Sequence, residues 1–302
     1  MLNTMSEALA ISLARQNSLW VGRFSAMASP CELLMDTPDK ALAHQLLSIA
    51  EREAKRIERK FSRYRDDNII FKINNAQGKS IEVDAETALL LNYADHCYQL
   101  SDGHFDITSG VLREVWHFDG SDHIPSDAAI KSVLSRVGWS KVKWQSSVLT
   151  MDKGMEIDLG GIGKEYAVDR TALLIRPHLQ SGVLINFGGD LCALGPRSDG
   201  RAWEIAIEEP EKGEKAQAAL VSLKSGSVAT SGDAQRFLIK DGVRYGHILD
   251  PMTGWPVPDA PRSVTTVAST CMEAGMLSTF AVLKGAGAED FLQQQKVAFL
   301  CL

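Results

Sequence analysis

Three glycines stand between a predicted strand and a predicted helix in the segment 158–169 (DLGGIGKEYAVD). Glycine lets the backbone approach a ligand closely, and the N-terminus of a helix offers unpaired N–H groups and a positive dipole end to phosphate. Lys164 adds a positive charge there. The spacing matches neither the GxxxxGK[ST] loop nor GxGxxG. The segment predicts an anion-binding turn, and a purely structural strand-to-helix turn is the alternative.

Three further segments combine glycine with polar side chains: 102–110 (DGHFDITSG), 184–190 (LINFGGD) and 228–233 (VATSGD). The second reads as a buried strand that ends in Gly-Gly-Asp. Each segment taken alone also fits a simple turn or loop, so none of them identifies a site by itself.

His247 precedes the sequence Asp-Pro-Met-Thr-Gly at 250–254. A lone histidine more often satisfies a hydrogen bond in the core than takes part in chemistry. An Asp-Pro-x-Thr-Gly turn fixes the local backbone, however. His247 is therefore a candidate for proton transfer, with a structural histidine as the alternative.

The elements that must position these segments follow from hydrophobic periodicity. Helices are predicted at 38–60, at 83–101 with Asp84 as N-cap, at 126–138 from Ser126 to Gly138, at 164–180 and at 272–284. Strands are predicted over 19–35, at 182–187, 202–208, 218–223 and 296–301, with a hairpin formed by 141–150 and 154–159. Frequent hairpins favour a mixed α/β fold with largely antiparallel sheets and flanking helices, rather than a doubly wound parallel sheet.

Composition narrows the class of protein. The net charge of −6 argues against a general nucleic-acid binder, which would show a basic patch. The five scattered cysteines are typical of reduced core thiols. Residues 1–20 are predicted to form a short amphipathic helix or leader, in which Glu7 and Arg15 interrupt any secretory signal. We expect a cytoplasmic protein that does not span a membrane.

Taken in order, the motifs resemble one known family. They comprise Phe61-Ser62-Arg63-Tyr64-Arg65, Gly103-x-Phe105-Asp106, Asp158-Leu159-Gly160-Gly161-Ile162-x-Lys164, Asn186-x-Gly188-Gly189-Asp190, Thr230-Ser231-Gly232-Asp233, His247-Ile248-Leu249-Asp250-Pro251-x-Thr253-Gly254 and Leu277-Ser278-Thr279. This series resembles the ApbE family, the FAD:protein FMN transferases, over roughly residues 20–300. The resemblance implies one domain over 21–302 with an ApbE-like fold related to the T-fold.

The resemblance also implies an activity. Family members transfer the FMN half of FAD to a Thr or Ser hydroxyl of a target flavoprotein, within a motif like Asp/Glu-x-x-Ser/Thr-Gly-Ala-Ser/Thr, and release AMP. His247 would be the catalytic base. Residues that would contact FAD by this resemblance are Met27, Tyr64, His104, Phe105, Asp106, Asp158, Lys164, Ser231, Gly232 and Leu249.

The implied magnesium site departs from the family pattern. It would use the Gly161 carbonyl and Thr279, in a segment that includes Ser278, but Gly275 stands where the family has an Asp one helical turn before the Thr. Magnesium prefers carboxylate oxygen, so we expect a weakened site and expect Gly275→Asp to raise magnesium affinity. Glu165, where Gly is common, offers a replacement carboxylate, and Glu273 is a poorer candidate.

Two other functions remain open from the sequence. One is an FAD-binding protein that transfers slowly or not at all. The other is a metal-dependent FAD pyrophosphatase, in which water replaces the acceptor hydroxyl and the products are FMN and AMP.

Overall fold

The computed structural model describes residues 10–210, 217–233 and 236–302. Its α-helices are α1 (Lys40–Phe61), α2 (Ile69–Asn74), α3 (Ala85–Leu100), α4 (Asp127–Leu134), α5 (Gly163–Ile175), α6 (Cys271–Leu283) and α7 (Ala288–Gln295). Its strands are β1 (Ser12–Gln16), β2 (Leu19–Ala26), β3 (Ser29–Met35), β4 (Ile81–Glu82), β5 (Lys143–Gln145), β6 (Val148–Thr150), β7 (Val183–Phe187), β8 (Asp190–Leu194), β9 (Trp203–Glu208), β10 (Gln217–Leu223), β11 (Gly226–Gly232), β12 (Phe237–Lys240), β13 (Val243–Gly246), β14 (Ser263–Ala268) and β15 (Ala298–Cys301).

An eight-stranded sheet in the order β1-β2-β3-β7-β8-β11-β14-β15 organises the molecule. The pairings along it are antiparallel. Small sheets pair β9 with β10, β12 with β13, and β4 and β5 with β6. This arrangement confirms the predicted mixed α/β fold with antiparallel pairing.

Both faces of the large sheet are covered, as the side chains of β7 illustrate. Ile185 and Phe187 lie in the main core with α1, α5 and α6, whereas Leu184 on the opposite face packs against Trp203 of β9. Helix α1 approaches the sheet so closely that a Cβ at Gly22 would lie 2.7 Å from Leu47 Cδ1. The result is a rigid sheet against which α5 and α6 lie side by side.

Most predicted elements are confirmed, including α1, the Asp84 N-cap of α3 and the Ser126 N-cap of α4. The helix expected within 1–20 is wrong for residues 12–16, which form β1; residues 1–9 lie outside the described part. The sequence signal is a two-residue hairpin loop at 17–18, where Asn17 takes a positive φ of 52°. Arg15 then stacks over the Trp20 ring, 5.3 Å from its centroid.

Two further predictions are corrected, one for a predicted strand and one for the end of a helix. Residues 154–159 do not form a strand, because the hairpin β5–β6 takes β4 as its third strand instead. Helix α5 ends at Ile175 and continues as a 3-10 turn over Arg176–His178, since Pro177 has no N–H to extend an α-helix.

None of the helices in the described ranges is long and apolar enough to cross a membrane. The five cysteines are unpaired thiols, and four of them are buried.

A partly exposed cluster of charged side chains joins helices α1, α3 and α5. Glu86 of α3 accepts hydrogen bonds from Arg56 Nη2 (2.6 Å) and Lys60 Nζ (2.7 Å) of α1, and from the Tyr166 hydroxyl (2.8 Å) of α5. These bonds, led by that from Arg56, hold the pKa of Glu86 at about 2. The cluster therefore fixes the position of α5 relative to α1 and α3.

Glu86→Gln is expected to reduce stability at neutral pH by roughly 1 kcal/mol, since solvent screens this half-exposed cluster. Because the folded pKa lies below the unfolded value of 4.5, the contribution is complete above pH 4.5 and disappears as the pH falls through about 2. Urea unfolding of both proteins between pH 7 and pH 2 measures it. A stability difference that does not shrink at low pH would contradict the assignment.

Candidate functional site

The glycine-rich turn before α5 is anchored by Asp158. The Asp158 amide donates to the Ile107 carbonyl (2.8 Å), and its carboxylate accepts from the Gly160 amide (3.0 Å) and from Arg63 Nη1 (2.7 Å). The Arg63 guanidinium in turn lies over the ring of Tyr64, 5.0 Å from its centroid. Tyr64 is 81% exposed, so a large aromatic face is open to solvent beside the turn.

Helix α5 begins without a side-chain cap and carries Lys164 in its first turn. Lys164 Nζ lies 2.8 Å from Asp190 Oδ2, and the Asp190 side chain is almost completely buried. Asp190 follows the turn Gly188-Gly189, whose φ values are +63° and +97°. The Gly188-Gly189 turn thus places the buried Asp190 carboxylate against Lys164, the lysine predicted to bind an anion.

The β2–β3 turn lies against this same corner. A Cβ at Gly188 would be 2.7 Å from Ser29 Cβ, which shows how closely the two turns approach. Met27 in the β2–β3 turn has a φ of 54°, and its amide donates to Glu58 Oε1 (2.8 Å). The backbone of Met27 is therefore held in a left-handed conformation beside the Gly-Gly turn.

Hydroxyl groups from β11 and α6 meet where these two elements pack against each other. Ser231 Oγ lies 2.8 Å from both Ser278 Oγ and Thr279 Oγ1. Ser278 Oγ also donates to the Gly275 carbonyl (3.0 Å), so this hydroxyl is directed toward its own helix. At Gly232 a Cβ would lie 2.2 Å from the Arg262 carbonyl oxygen, which excludes a larger residue without a backbone shift.

Phe105 connects these hydroxyls to the glycine-rich turn. A Cβ at Gly161 would lie 3.4 Å from Phe105 Cε2, and the Phe105 ring centroid is 6.0 Å from that of Phe280 in α6. Phe105 therefore lies between the glycine-rich turn and α6, and the roles of Gly161, Lys164, Ser231 and Thr279 at an FAD or metal site stay predictions.

Helices α5 and α6 touch at Glu165 and Gly275. A Cβ at Gly275 would lie 2.6 Å from Glu165 Cγ and 2.8 Å from Glu165 Oε1. Glu165 is only 8% exposed, and its Oε2 has no hydrogen-bond partner among the described residues. Burial, and then the neighbouring Asp190 carboxylate, raise the pKa of Glu165 well above its ordinary value.

His247 directly follows strand β13. Its Nδ1 is 3.3 Å from the Arg236 carbonyl oxygen, and its ring contacts that of Phe118 edge-on. A carbonyl oxygen only accepts, so Nδ1 carries the hydrogen and Nε2 keeps a free lone pair. Burial, and then the Arg236 charge, lower the pKa of His247, which keeps the ring neutral at pH 7.

The remaining predicted residues fall into two groups. His104 Nδ1 lies 3.3 Å from Asp250 Oδ1, which places His104 beside the turn that follows His247. Leu249 of that turn packs on an apolar cluster that includes Trp116. Asp106 is different, because Thr108 and the Trp139 amide already occupy its carboxylate. Asp106 therefore stabilises the loop behind Phe105 within the structure.

Sequence reasoning did not assign a role to Arg63 or to the charge cluster around Asp233. Asp233 accepts from Arg244 Nε and Arg262 Nε, both at 2.8 Å. The signal for Arg63 was its place in the Phe-Ser-Arg-Tyr-Arg motif. No sequence pattern predicted the pairing of Arg262 with Asp233, because only the tertiary fold brings these residues together.

Groups of three or more His, Cys, Asp or Glu side chains with metal-binding geometry are absent from the part of the chain that the structure describes. A cation at this site would therefore depend on few carboxylates together with hydroxyl, carbonyl and substrate oxygens.

Comparison with known proteins places this site in a family. A crystal structure of the ApbE protein from Thermotoga maritima superposes with a TM-score of 0.82 at 32% identity, covering 94% of both chains. An FAD:protein FMN transferase of Klebsiella pneumoniae is 30% identical over 268 residues, which is 87% of this chain and 81% of that relative. One from Vibrio cholerae is 28% identical over 253 residues, 82% of this chain and 76% of that relative. Residues 27–301 match the model of the ApbE family, and the chain belongs to that family.

Proposed function

We propose that this protein is an FAD:protein FMN transferase, which moves the FMN half of FAD to a Thr or Ser hydroxyl of an acceptor flavoprotein and releases AMP. Relatives of that name are similar to this chain over most of its length. The observation that carries the proposal is that Lys164, at the uncapped start of α5, bonds Asp190 of β8, and the neighbouring strand β11 carries Ser231, whose hydroxyl meets that of Thr279.

FAD is the substrate for which these residues are suited. The start of α5 and Lys164 offer N–H groups and a positive charge to the diphosphate. The exposed Tyr64 ring and the apolar side chains of Met27, Phe105 and Leu249 suit the flavin and adenine rings. Asp158, held by Arg63, and His104 are polar groups for ring or ribose atoms; Ser231 and Gly232 would border the flavin pocket.

The chemistry is an in-line displacement at the FMN phosphorus. The acceptor oxygen forms a bond to phosphorus, the bond from phosphorus to the bridging oxygen breaks, and AMP leaves with that oxygen. His247 Nε2 takes the proton of the acceptor hydroxyl. Positioning and charge neutralisation supply most of the rate enhancement in such transfers.

We also propose dependence on magnesium. The donors present fit a hard cation, because the Gly161 carbonyl precedes α5, the Thr279 hydroxyl stands one turn after Gly275 on α6, and the buried Glu165 Oε2 at the contact of these helices has no hydrogen-bond partner in the described part of the chain. When bound, such a cation would neutralise charge on the diphosphate. The acceptor motif and the cytoplasmic location expected from the sequence stay predictions.

The test is transfer to a defined acceptor. The protein is incubated with FAD, magnesium and a peptide that carries Asp-x-x-Thr-Gly-Ala-Thr, and we expect a peptide mass increase equal to FMN minus water, with one AMP per label. A peptide with Ala at the final position is the matched control and should stay unlabelled. Free FMN and AMP without labelling would instead identify a pyrophosphatase, and bound FAD without products would identify a binding protein.

A further inference from the structure

Where α5 and α6 touch, α6 carries a glycine and α5 carries an acid, which is the reverse of the expected family pattern. On α6 the position one turn before Thr279 is Gly275, which offers no side chain. On α5, Glu165 extends toward that gap, and its Cγ lies 2.6 Å from where a Cβ of residue 275 would be. One side chain therefore fills the space that a carboxylate on α6 would have to enter.

The carboxylate of Glu165 is unusual among the buried groups of the molecule. Its Oε2 is buried without a hydrogen-bond partner among the described residues, although buried carboxylates ordinarily have one. Lys164 Nζ is bonded to Asp190 Oδ2 at 2.8 Å, and this ammonium does not hydrogen-bond Glu165 Oε2. A divalent cation would give that oxygen the partner that the described residues do not supply.

Oxygen donors of the right kind stand one helical turn from each side of this contact. Thr279 lies four residues after Gly275 on the same face of α6, and its hydroxyl meets Ser231 Oγ at 2.8 Å. Gly161 lies four residues before Glu165, in the turn that enters α5. Magnesium and manganese accept one carboxylate together with neutral oxygens, substrate phosphates and water.

We propose that Glu165 is the carboxylate ligand of a divalent cation, supplied from α5 in place of the missing acid at Gly275 of α6, with the Gly161 carbonyl and the Thr279 hydroxyl as its neighbours. The inference rests on the proposed function for the identity of the ion. It also changes the expectation for Gly275→Asp. That single substitution places a Cβ against Glu165 and two acids in one space, so it should lower the melting temperature rather than simply add a ligand.

The test measures manganese binding to the full chain, by the loss of the free Mn²⁺ EPR signal, with magnesium as competitor. Glu165→Gln keeps the size of the side chain and should weaken binding on the order of tenfold or more. Glu165→Gly/Gly275→Asp returns the acid to α6 and should bind within a few-fold of the parent. Glu273→Gln removes a carboxylate that hydrogen-bonds Ser269, and as the matched control it should bind normally.

Melting temperatures give a second readout that a space-filling role would not change. Without metal, Glu165→Gln keeps the size of the side chain and should melt close to the parent. With magnesium, it should gain less than the parent does. Unchanged manganese affinity in Glu165→Gln, or no manganese binding by the parent, overturns the assignment.

The peptide assay separates this proposal from the proposed function. Flavin transfer by the parent together with unchanged manganese affinity in Glu165→Gln would reject the ligand and keep the transferase. Loss of manganese binding in Glu165→Gln, with no transfer by the parent, would keep the ligand and reject the transferase.

Discussion

Replacing His247 with Asn is expected to lower the turnover of flavin transfer by roughly 10²- to 10⁴-fold, the usual contribution of a general base. The Asn amide can still donate to the Arg236 carbonyl, as Nδ1 does at 3.3 Å, but it has no group equivalent to Nε2 that accepts a proton. The Kd for FAD should change little, because the proposed proton transfer concerns the acceptor hydroxyl and not FAD.

The pH dependence of turnover tests the role of His247 as the base independently. Burial and the Arg236 charge lower the pKa of His247 below 6.5, so the base is neutral above that pKa and protonated below it. Turnover of the parent should therefore fall as the pH drops through a value under 6.5, and the residual turnover of His247→Asn should lack this acidic limb. His104→Asn is the matched control. It should weaken FAD binding and keep the limb; an unchanged limb in His247→Asn would rule out His247 as the base.

Local sequence signals predicted the elements that support this site. The amphipathic period of α1 and the caps at Asp84 and Ser126 are short-range features, and each appears where the sequence places it. The glycine-rich turn before α5 was visible for the same reason, since three glycines and a lysine in one turn have few structural alternatives. The two-residue hairpin at 17–18 was missed because β1 is short and lacks regular alternation.

Contacts between distant segments were beyond what the residues alone could give. The resemblance assigned Ser231 to the flavin pocket and Thr279 to the metal site, and only the packing of α6 on β11 shows that their hydroxyls meet. The sequence offered Glu165 and Glu273 as possible replacements for the acid missing at Gly275. The contact between α5 and α6 favours Glu165, because it places the Glu165 side chain against Gly275. Glu273 instead bonds Ser269 at the start of its own helix.

The role of Asp106 could not be read from the motif alone. The resemblance implies an FAD contact, which stays a prediction, and within the structure the Asp106 oxygens accept from Thr108 and the Trp139 amide. The motif therefore does not distinguish binding of a ligand from support of the loop that presents Phe105.

Lys164→Met is expected to destabilise the protein by about 3–5 kcal/mol, the typical cost of removing one partner from a buried ion pair. Asp190 is only 3% exposed and would lose the ammonium that lies 2.8 Å from it, with the Glu165 carboxylate as a repelling neighbour. Lys60→Met is the matched control. It removes the ion pairs with Asp84 and Glu86, whose carboxylates are more exposed than that of Asp190, and should cost about 1 kcal/mol. Urea unfolding at pH 7 measures both.

The double variant Lys164→Met/Asp190→Asn separates stability from binding. With neither charge present, no carboxylate at 190 is left buried without its cation, so much of the lost stability should return. Binding of FAD should stay weak in both variants, because each lacks the positive charge at the start of α5 that is proposed to hold the diphosphate. If Lys164→Met were no less stable than Lys60→Met, Lys164 would not be the stabilising partner of a buried acid. If the double variant bound FAD as tightly as the parent, Lys164 would not be the phosphate-binding cation.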